Sequence, residues 1–148
     1  MLLASAICSC SEKQPESTEP MITKTEIQVE NGLLTPEIMH RLGKVGDVQV
    51  SPNHAKILYG VTYTSIEQNK GNRELYLMNV DGSDNVKITN TPKSESNARW
   101  LNDSQIIYMR SGKLYTATIE GSTLKNEKEV TGAEGMESFE LSPAGDKI

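Results

Sequence analysis

Apolar and polar residues alternate with a period of two along most of this chain, in short runs broken by turn residues rather than in a helical rhythm. The clearest run is Glu74 to Thr89, ELYLMNVDGSDNVKIT. Leu75 and Leu77 flank the β-favouring Tyr76, Asp81-Gly82 tolerates positive φ at a hairpin, and Val86-Lys87-Ile88-Thr89 alternates again on the return. A weaker copy follows 39 residues on: Leu75-Tyr76 falls on Leu114-Tyr115, Val80 on Ile119, and Asp81-Gly82-Ser83 on Glu120-Gly121-Ser122.

What precedes each hairpin repeats too. Val48-Gln49-Val50-Ser51-Pro52 leads to Ile57-Leu58-Tyr59 as Ala98-Arg99-Trp100-Leu101-Asn102 leads to Ile106-Ile107-Tyr108. Phe139-Glu140-Leu141-Ser142-Pro143 opens a third copy, with Lys147-Ile148 at the start of its second strand. In the first copy the pattern predicts strands at 47–51, 56–61, 73–80 and 85–89. Four-stranded units at a period of ~40–45 residues are the sequence signature of propeller blades, and propellers close with about 4–8 of them. The expected fold is therefore all-β: a partial β-propeller of four-stranded antiparallel blades, with one short N-terminal helix. Two blades and a start fall short of closure, which is expected to leave apolar faces such as those of Phe139, Leu141 and Ile148 unmatched.

The helix comes from Leu34 to Gly43. Thr35 suits the N-cap, Pro36 the first helical position, Glu37 the dipole, Gly43 the exit, and Leu34 and Met39 the two ends of a hydrophobic staple. Before it, Thr23 to Glu30 alternates as a strand with one wet face, closed by Asn31-Gly32. Residues 11–22 are polar almost throughout and read as a tether. Leu2 to Ile7 is a short apolar run followed by Ser9-Cys10, which resembles the end of a bacterial lipoprotein signal with Cys10 as the lipid anchor. The match lacks a basic residue after Met1, and an accidental apolar N-terminus is the alternative. The chain thus divides into a signal remnant (1–10), a tether (11–22), a lead-in strand and helix (23–45), blades at 46–95 and 96–135, and the start of a third blade at 136–148.

A net charge of −5 with no basic run gives no footprint for phosphate backbones, so nucleic acid is not an expected partner. Cys8 and Cys10 lie too close together to staple a fold and have no further ligands nearby, so no structural disulfide, metal site or cofactor is implied. His40 and His54 lack a Ser or Cys partner at a recognisable spacing and read as surface histidines. Trp100 occupies the position of Val50 and Leu141, a place for core packing rather than a ligand-stacking platform. Asp81, Asp84 and Asn85 lack the calcium-loop pattern and read as turn residues. Compared with the second unit, the first carries 11 extra residues around Thr62 to Asn72, read as a long loop opposite the Ser-Pro and Asp-Gly turns. Such loops carry recognition in many folds and are idle insertions in others.

Ser51-Pro52, Leu75-Tyr76-Leu77-Met78-Asn79-Val80-Asp81-Gly82-Ser83 and Ile88-Thr89 resemble the TolB-like propeller repeat, although Asn53-His54-Ala55 departs from it at the first turn. Joined to Leu34-Thr35-Pro36-Glu37 and Val45 to Pro52, they resemble the opening of the acylaminoacyl-peptidase and dipeptidyl-peptidase branch of the prolyl oligopeptidase family. The resemblance implies an exported serine peptidase acting on short peptides, whose N-terminal propeller covers a C-terminal α/β-hydrolase domain. No G-x-S-x-G elbow occurs here, so no catalytic residue is assigned within this chain. The alternative from another class is a non-enzymatic TolB-like propeller that binds a protein or glycan at the cell envelope. Membrane contact is expected only through Cys10, in the periplasm or at the outer membrane.

Overall fold

A computed structural model describes residues 20–142. The signal-like segment with Cys10, most of the tether, and residues 143–148 lie outside the described residues.

Eight strands form two four-stranded antiparallel sheets, each a simple meander. The first holds β1 (Lys44–Val50), β2 (Lys56–Ser65), β3 (Lys70–Asn79) and β4 (Val86–Lys87). The second holds β5 (Glu95–Trp100), β6 (Gln105–Arg110), β7 (Lys113–Glu120) and β8 (Thr123–Glu129). Helix α1 (Pro36–Arg41) and a 3-10 turn at Glu30–Gly32 are the only helical pieces among the described residues.

The repeat read in sequence is present in three dimensions. Tyr59 pairs across the strands with Tyr76 as Tyr108 does with Tyr115, and the ring centroids stack at 5.5 and 6.0 Å. The first strand of each sheet carries a bulge, between Gly46 and Gln49 and between Ser96 and Arg99. Asp47 and Asn97 sit in these bulges, both at φ 51°, where a short polar side chain tolerates a left-handed backbone.

The main core lies between the sheets. Leu58, Leu75 and Leu77 of the first pack on Ala98, Trp100, Ile106, Tyr108, Ala117 and Ile119 of the second. A second cluster covers the other side of the second sheet, where Ile107, Met109 and Leu114 meet Phe139, with Leu141 packed alongside. This corrects the expectation for Phe139, which is only 5% exposed because the second sheet offers it a face. Leu141 is half-buried, and Ile148 lies outside the described residues. Within the sheets, uncovered apolar positions include Val45, Val48 and Val50 of β1.

Several local expectations change. Thr23 to Val29 forms no strand, since no second strand lies beside it to complete a ladder. The segment is held instead by side chains of the β2–β3 hairpin: Gln68 Nε2 donates to the Pro20 carbonyl at 3.0 Å and Asn72 Nδ2 to that of Ile22 at 3.4 Å. Thr35 caps α1 as expected, its hydroxyl accepting from Ile38 N at 3.4 Å. Leu34 and Met39 both remain exposed, however. Leu42 rather than Gly43 ends the helix. Gly43 serves close approach, because a Cβ there would lie 2.8 Å from Val61 Cγ1.

The 11-residue insertion is not a loop. β2 and β3 pair without interruption from Lys56↔Asn79 to Ser65↔Lys70, so the extra residues lengthen the hairpin and only Ile66 to Asn69 turn. Alternating Thr62, Tyr63 and Thr64 on one strand favour that ladder. Its tip does stand at the opposite end from the Ser51-Pro52 and Asp81-Gly82 turns, as the meander requires. β4, expected at 85–89, stops at Lys87 because the Thr89 hydroxyl accepts from Leu75 N at 2.8 Å, taking a donor that a longer ladder would use.

Candidate functional site

At the hairpin end of the junction between the sheets, two carboxylates are buried. Glu74 comes from the middle of β3 and is 2% exposed, and Glu95 opens β5 and is 0% exposed. The connection from β4 to β5 runs between them, and Thr91 touches both. Its N–H donates to Glu74 Oε1 at 3.1 Å and its hydroxyl to Glu95 Oε1 at 2.7 Å. Glu74 also accepts from Asn72 Nδ2 at 3.2 Å and from the Thr89 hydroxyl at 2.7 Å, so both its oxygens are paired.

One guanidinium serves the cluster. Arg110, the last residue of β6, donates through Nε to Glu95 Oε1 at 2.8 Å and through Nη1 to Glu127 Oε1 of β8 at 3.0 Å. It lies 4.7 Å over the Tyr115 ring and 5.6 Å over that of Tyr108, whose hydroxyl donates to Glu127. Burial is the strongest single influence on Arg110 and opposes its charge, but the hydrogen bond to Glu127 and the neighbouring Tyr108, Glu127 and Glu95 together outweigh it and hold the guanidinium pKa above its usual value. That same bond holds the Glu127 carboxyl below the usual range. Burial, reinforced by the bond to Glu127, pushes the Tyr108 phenol well above its own range.

A cavity of about 350 Å³ opens beside Arg110, lined by Thr91, Pro92, Lys93, Ser111, Lys113 and Tyr115. Its walls mix cations with an aromatic face and hydroxyls, so it can hold a small polar group. It offers no activated nucleophile, because Ser111 has no His partner at hand.

The residues singled out in sequence lie elsewhere. His40 is exposed on α1, and His54 is exposed in the turn after Pro52 at φ 57°. Trp100 is buried between the sheets and donates from Nε1 to the Gln49 carbonyl at 3.3 Å. Asp81 accepts from Ser83 N at 2.9 Å, Asp84 from Asn79 Nδ2 at 2.8 Å and Asn85 from the Tyr59 hydroxyl at 2.6 Å, so three different partners divide them. Among the described residues no helix is long and apolar enough to cross a membrane. Cys10 lies outside them.

Glu74, Glu95 and Arg110 were not legible as a cluster. One signal was available: register pairs Glu95 with Arg110 where the first sheet pairs Val45 with Val61, a charged pair in a place that is apolar in the other copy.

No family model matches the chain. Over 97 residues it is 29% identical to a dipeptidyl-peptidase 5 of Porphyromonas endodontalis, covering 66% of this chain and 13% of that protein. Over 80 residues it is 34% identical to the dipeptidyl-peptidase 5 of Porphyromonas gingivalis, covering 54% of this chain and 12% of that one. Part of the chain is thus similar to part of two dipeptidyl-peptidases. It spans about an eighth of the length of these curated relatives.

Proposed function

We propose that the two sheets are successive blades of a β-propeller, and that this chain is the N-terminal propeller segment of an exported serine peptidase of the prolyl oligopeptidase family. The observation that carries the proposal is that the bulge residue of each sheet bonds to the backbone of the unit that follows it. Asp47 Oδ2 accepts from the backbone N–H of Asn97 in the next sheet at 3.2 Å, and Asn97 Nδ2 donates to the backbone carbonyl of Phe139 in the next segment at 2.8 Å. Each sheet also lays one apolar face, at Leu58 or at Ile107, on the segment of chain that follows it. Units joined successively through the same position build a ring when the rotation between them closes.

The partial similarity to two dipeptidyl-peptidases supports the peptidase half. On this proposal the catalytic α/β-hydrolase domain lies outside this chain, the propeller gates or selects short peptides, and Cys10 anchors the protein to a membrane facing the periplasm. Triad catalysis needs a positioned nucleophile and base, so the isolated chain hydrolyses neither peptides nor esters.

The deciding experiment is to read the coding sequence downstream of Ile148. A G-x-S-x-G elbow followed by Asp and His is expected. A parent chain that ends after its last blade would overturn the peptidase assignment in favour of an envelope-binding propeller. A serine-directed covalent probe is expected to label the longer protein and leave this chain untouched.

A further inference from the structure

The carboxylate cluster has more negative charge than it has cations to meet it. Around Glu95 stand Glu74 from β3, Arg110 and Tyr108 from β6, and, through Arg110, Glu127 from β8. The connection adds the hydroxyls of Thr89 and Thr91, and Lys93 lines the cavity beside Arg110. The nearby ions are committed elsewhere: Arg73 of β3 to Asp47 of β1 at 2.8 Å, and Lys113 of β7 to Glu129 of β8 at 2.8 Å. One guanidinium is thus divided between Glu95 and Glu127, while Glu74 is met by neutral donors only.

Glu95 is the poorly served member. Its Oε1 takes both the Thr91 hydroxyl and Arg110, and its buried Oε2 has no hydrogen-bond partner. Asn72 Oδ1, on the side chain that donates to Glu74 and to the Thr91 carbonyl, is buried and without a donor as well. A bare carboxylate oxygen out of water is costly, and a second carboxylate nearby makes it costlier. A proton removes the charge and turns the orphaned carboxylate oxygen into a donor.

We propose that Glu95 carries a proton in the folded chain, and that the junction between the two sheets is a pH-sensitive joint, tight in acid and loosened when that proton leaves. Burial above all pushes the Glu95 carboxyl up from its ordinary value; the Thr91 hydroxyl, the Arg110 charge and, least, the Thr89 hydroxyl pull it down, the Glu74 charge pushes it further up, and the balance is upward. For an acid held above its unfolded value, the stabilisation is full below the ordinary carboxylate range and is lost as pH rises through the folded value. Glu127, held low by Arg110, has the opposite sign: its contribution is present above the ordinary range and disappears as pH falls. The joint therefore answers to two carboxylates of opposite slope, Glu127 below the ordinary carboxylate range and Glu95 above it.

The experiment uses the 148-residue chain between about pH 5 and pH 8, a window across which one linked proton changes the unfolding constant by up to tenfold per pH unit. Trp100, the single tryptophan, lies in the same interface and reports unfolding in urea by fluorescence. Glu95→Gln is expected to flatten the fall in urea midpoint that the unmodified chain shows with rising pH, whereas Glu127→Gln is expected to lower the midpoint and leave that slope in place, because its own titration lies below the window. Infrared difference spectra are expected to show a protonated-carboxyl band that persists above the ordinary glutamate range and vanishes in Glu95→Gln, whatever the variant's stability. Loss of that band in Glu74→Gln but not in Glu95→Gln would overturn the assignment. So would a ratio of unfolding constants, Glu95→Gln against unmodified chain, that does not change with pH.

Discussion

Trp100 and Val50 hold the same register position in two sheets built alike, yet Trp100 is 9% exposed and Val50 48%. Ala98 and Val48, two positions earlier on the same strands, differ in the same way. Nothing in the local pattern separates them. The second sheet has a neighbour on each side, the first sheet on one and the Phe139 segment on the other, whereas β1 of the first sheet faces solvent. Burial here belongs to the junction between units and not to the strand, which is how quasi-one-dimensional repeats store their stability.

The sharpest way to break this comparison is to truncate both positions. Trp100→Ala is expected to cost ~3–5 kcal/mol through lost burial and the cavity it leaves. Val50→Ala is expected to cost less than about 1 kcal/mol. Similar urea midpoints for the two variants would mean that the junction contributes little. A smaller effect is expected at Gly60, which occupies the register position of Met109. Gly60 leaves room for Arg73, and an added Cβ would stand 2.4 Å from its Nε. Gly60→Ala must displace the guanidinium that grips Asp47, at ~1–3 kcal/mol. Adding Arg73→Ala is expected to return part of that loss, and a strictly additive double mutant would count against the clash.

How much of this was legible depended on how local each cause is. The meander, the repeated hairpin and the capped helix follow from alternation, Asp-Gly and Thr-Pro signals carried by adjacent residues, and each is present. The hairpin extension reads as a loop from its length, whereas the alternation from Thr62 to Thr64 is what makes it a ladder. The strand at Thr23 to Glu30 failed for the converse reason: alternation prepares a segment for a ladder but does not supply the second strand. The Glu74–Glu95 cluster was invisible because its members meet only once the connection from Lys87 to Glu95 has brought two sheets together.

Two smaller effects sharpen the picture. Gly82 stands at φ 86° with open space around it, so Gly82→Val is expected to cost about 1–2 kcal/mol from backbone strain alone. Ser83→Ala removes an exposed hydroxyl that donates to Asp81 Oδ1 at 2.6 Å and is expected to cost within about 0.5 kcal/mol. Equal midpoints would show that the turn is not the constraint. The least change in stability is expected from Val48→Lys with Val50→Lys, both on the uncovered side of β1. These substitutions are expected to shift a self-associating chain toward monomer in size-exclusion chromatography, because an exposed apolar sheet face and edge recruit other copies. A monodisperse unmodified chain would show that β1 needs no cover.

The two bonds from Gln68 and Asn72 to the carbonyls of Pro20 and Ile22 have a consequence for orientation. They fix the point at which the N-terminal segment leaves the sheets, at the hairpin tip and away from the Asp-Gly turns. Pro20 lies ten residue steps from Cys10, and a fully extended chain spans at most ~3.3–3.6 Å per residue. If Cys10 bears the proposed lipid, the leash is no longer than ~35 Å, comparable to the diameter of a small domain. The hairpin tip would then hang on the bilayer side of the molecule, and the opposite rim, with its Ser-Pro and Asp-Gly turns, would look out into the surrounding compartment.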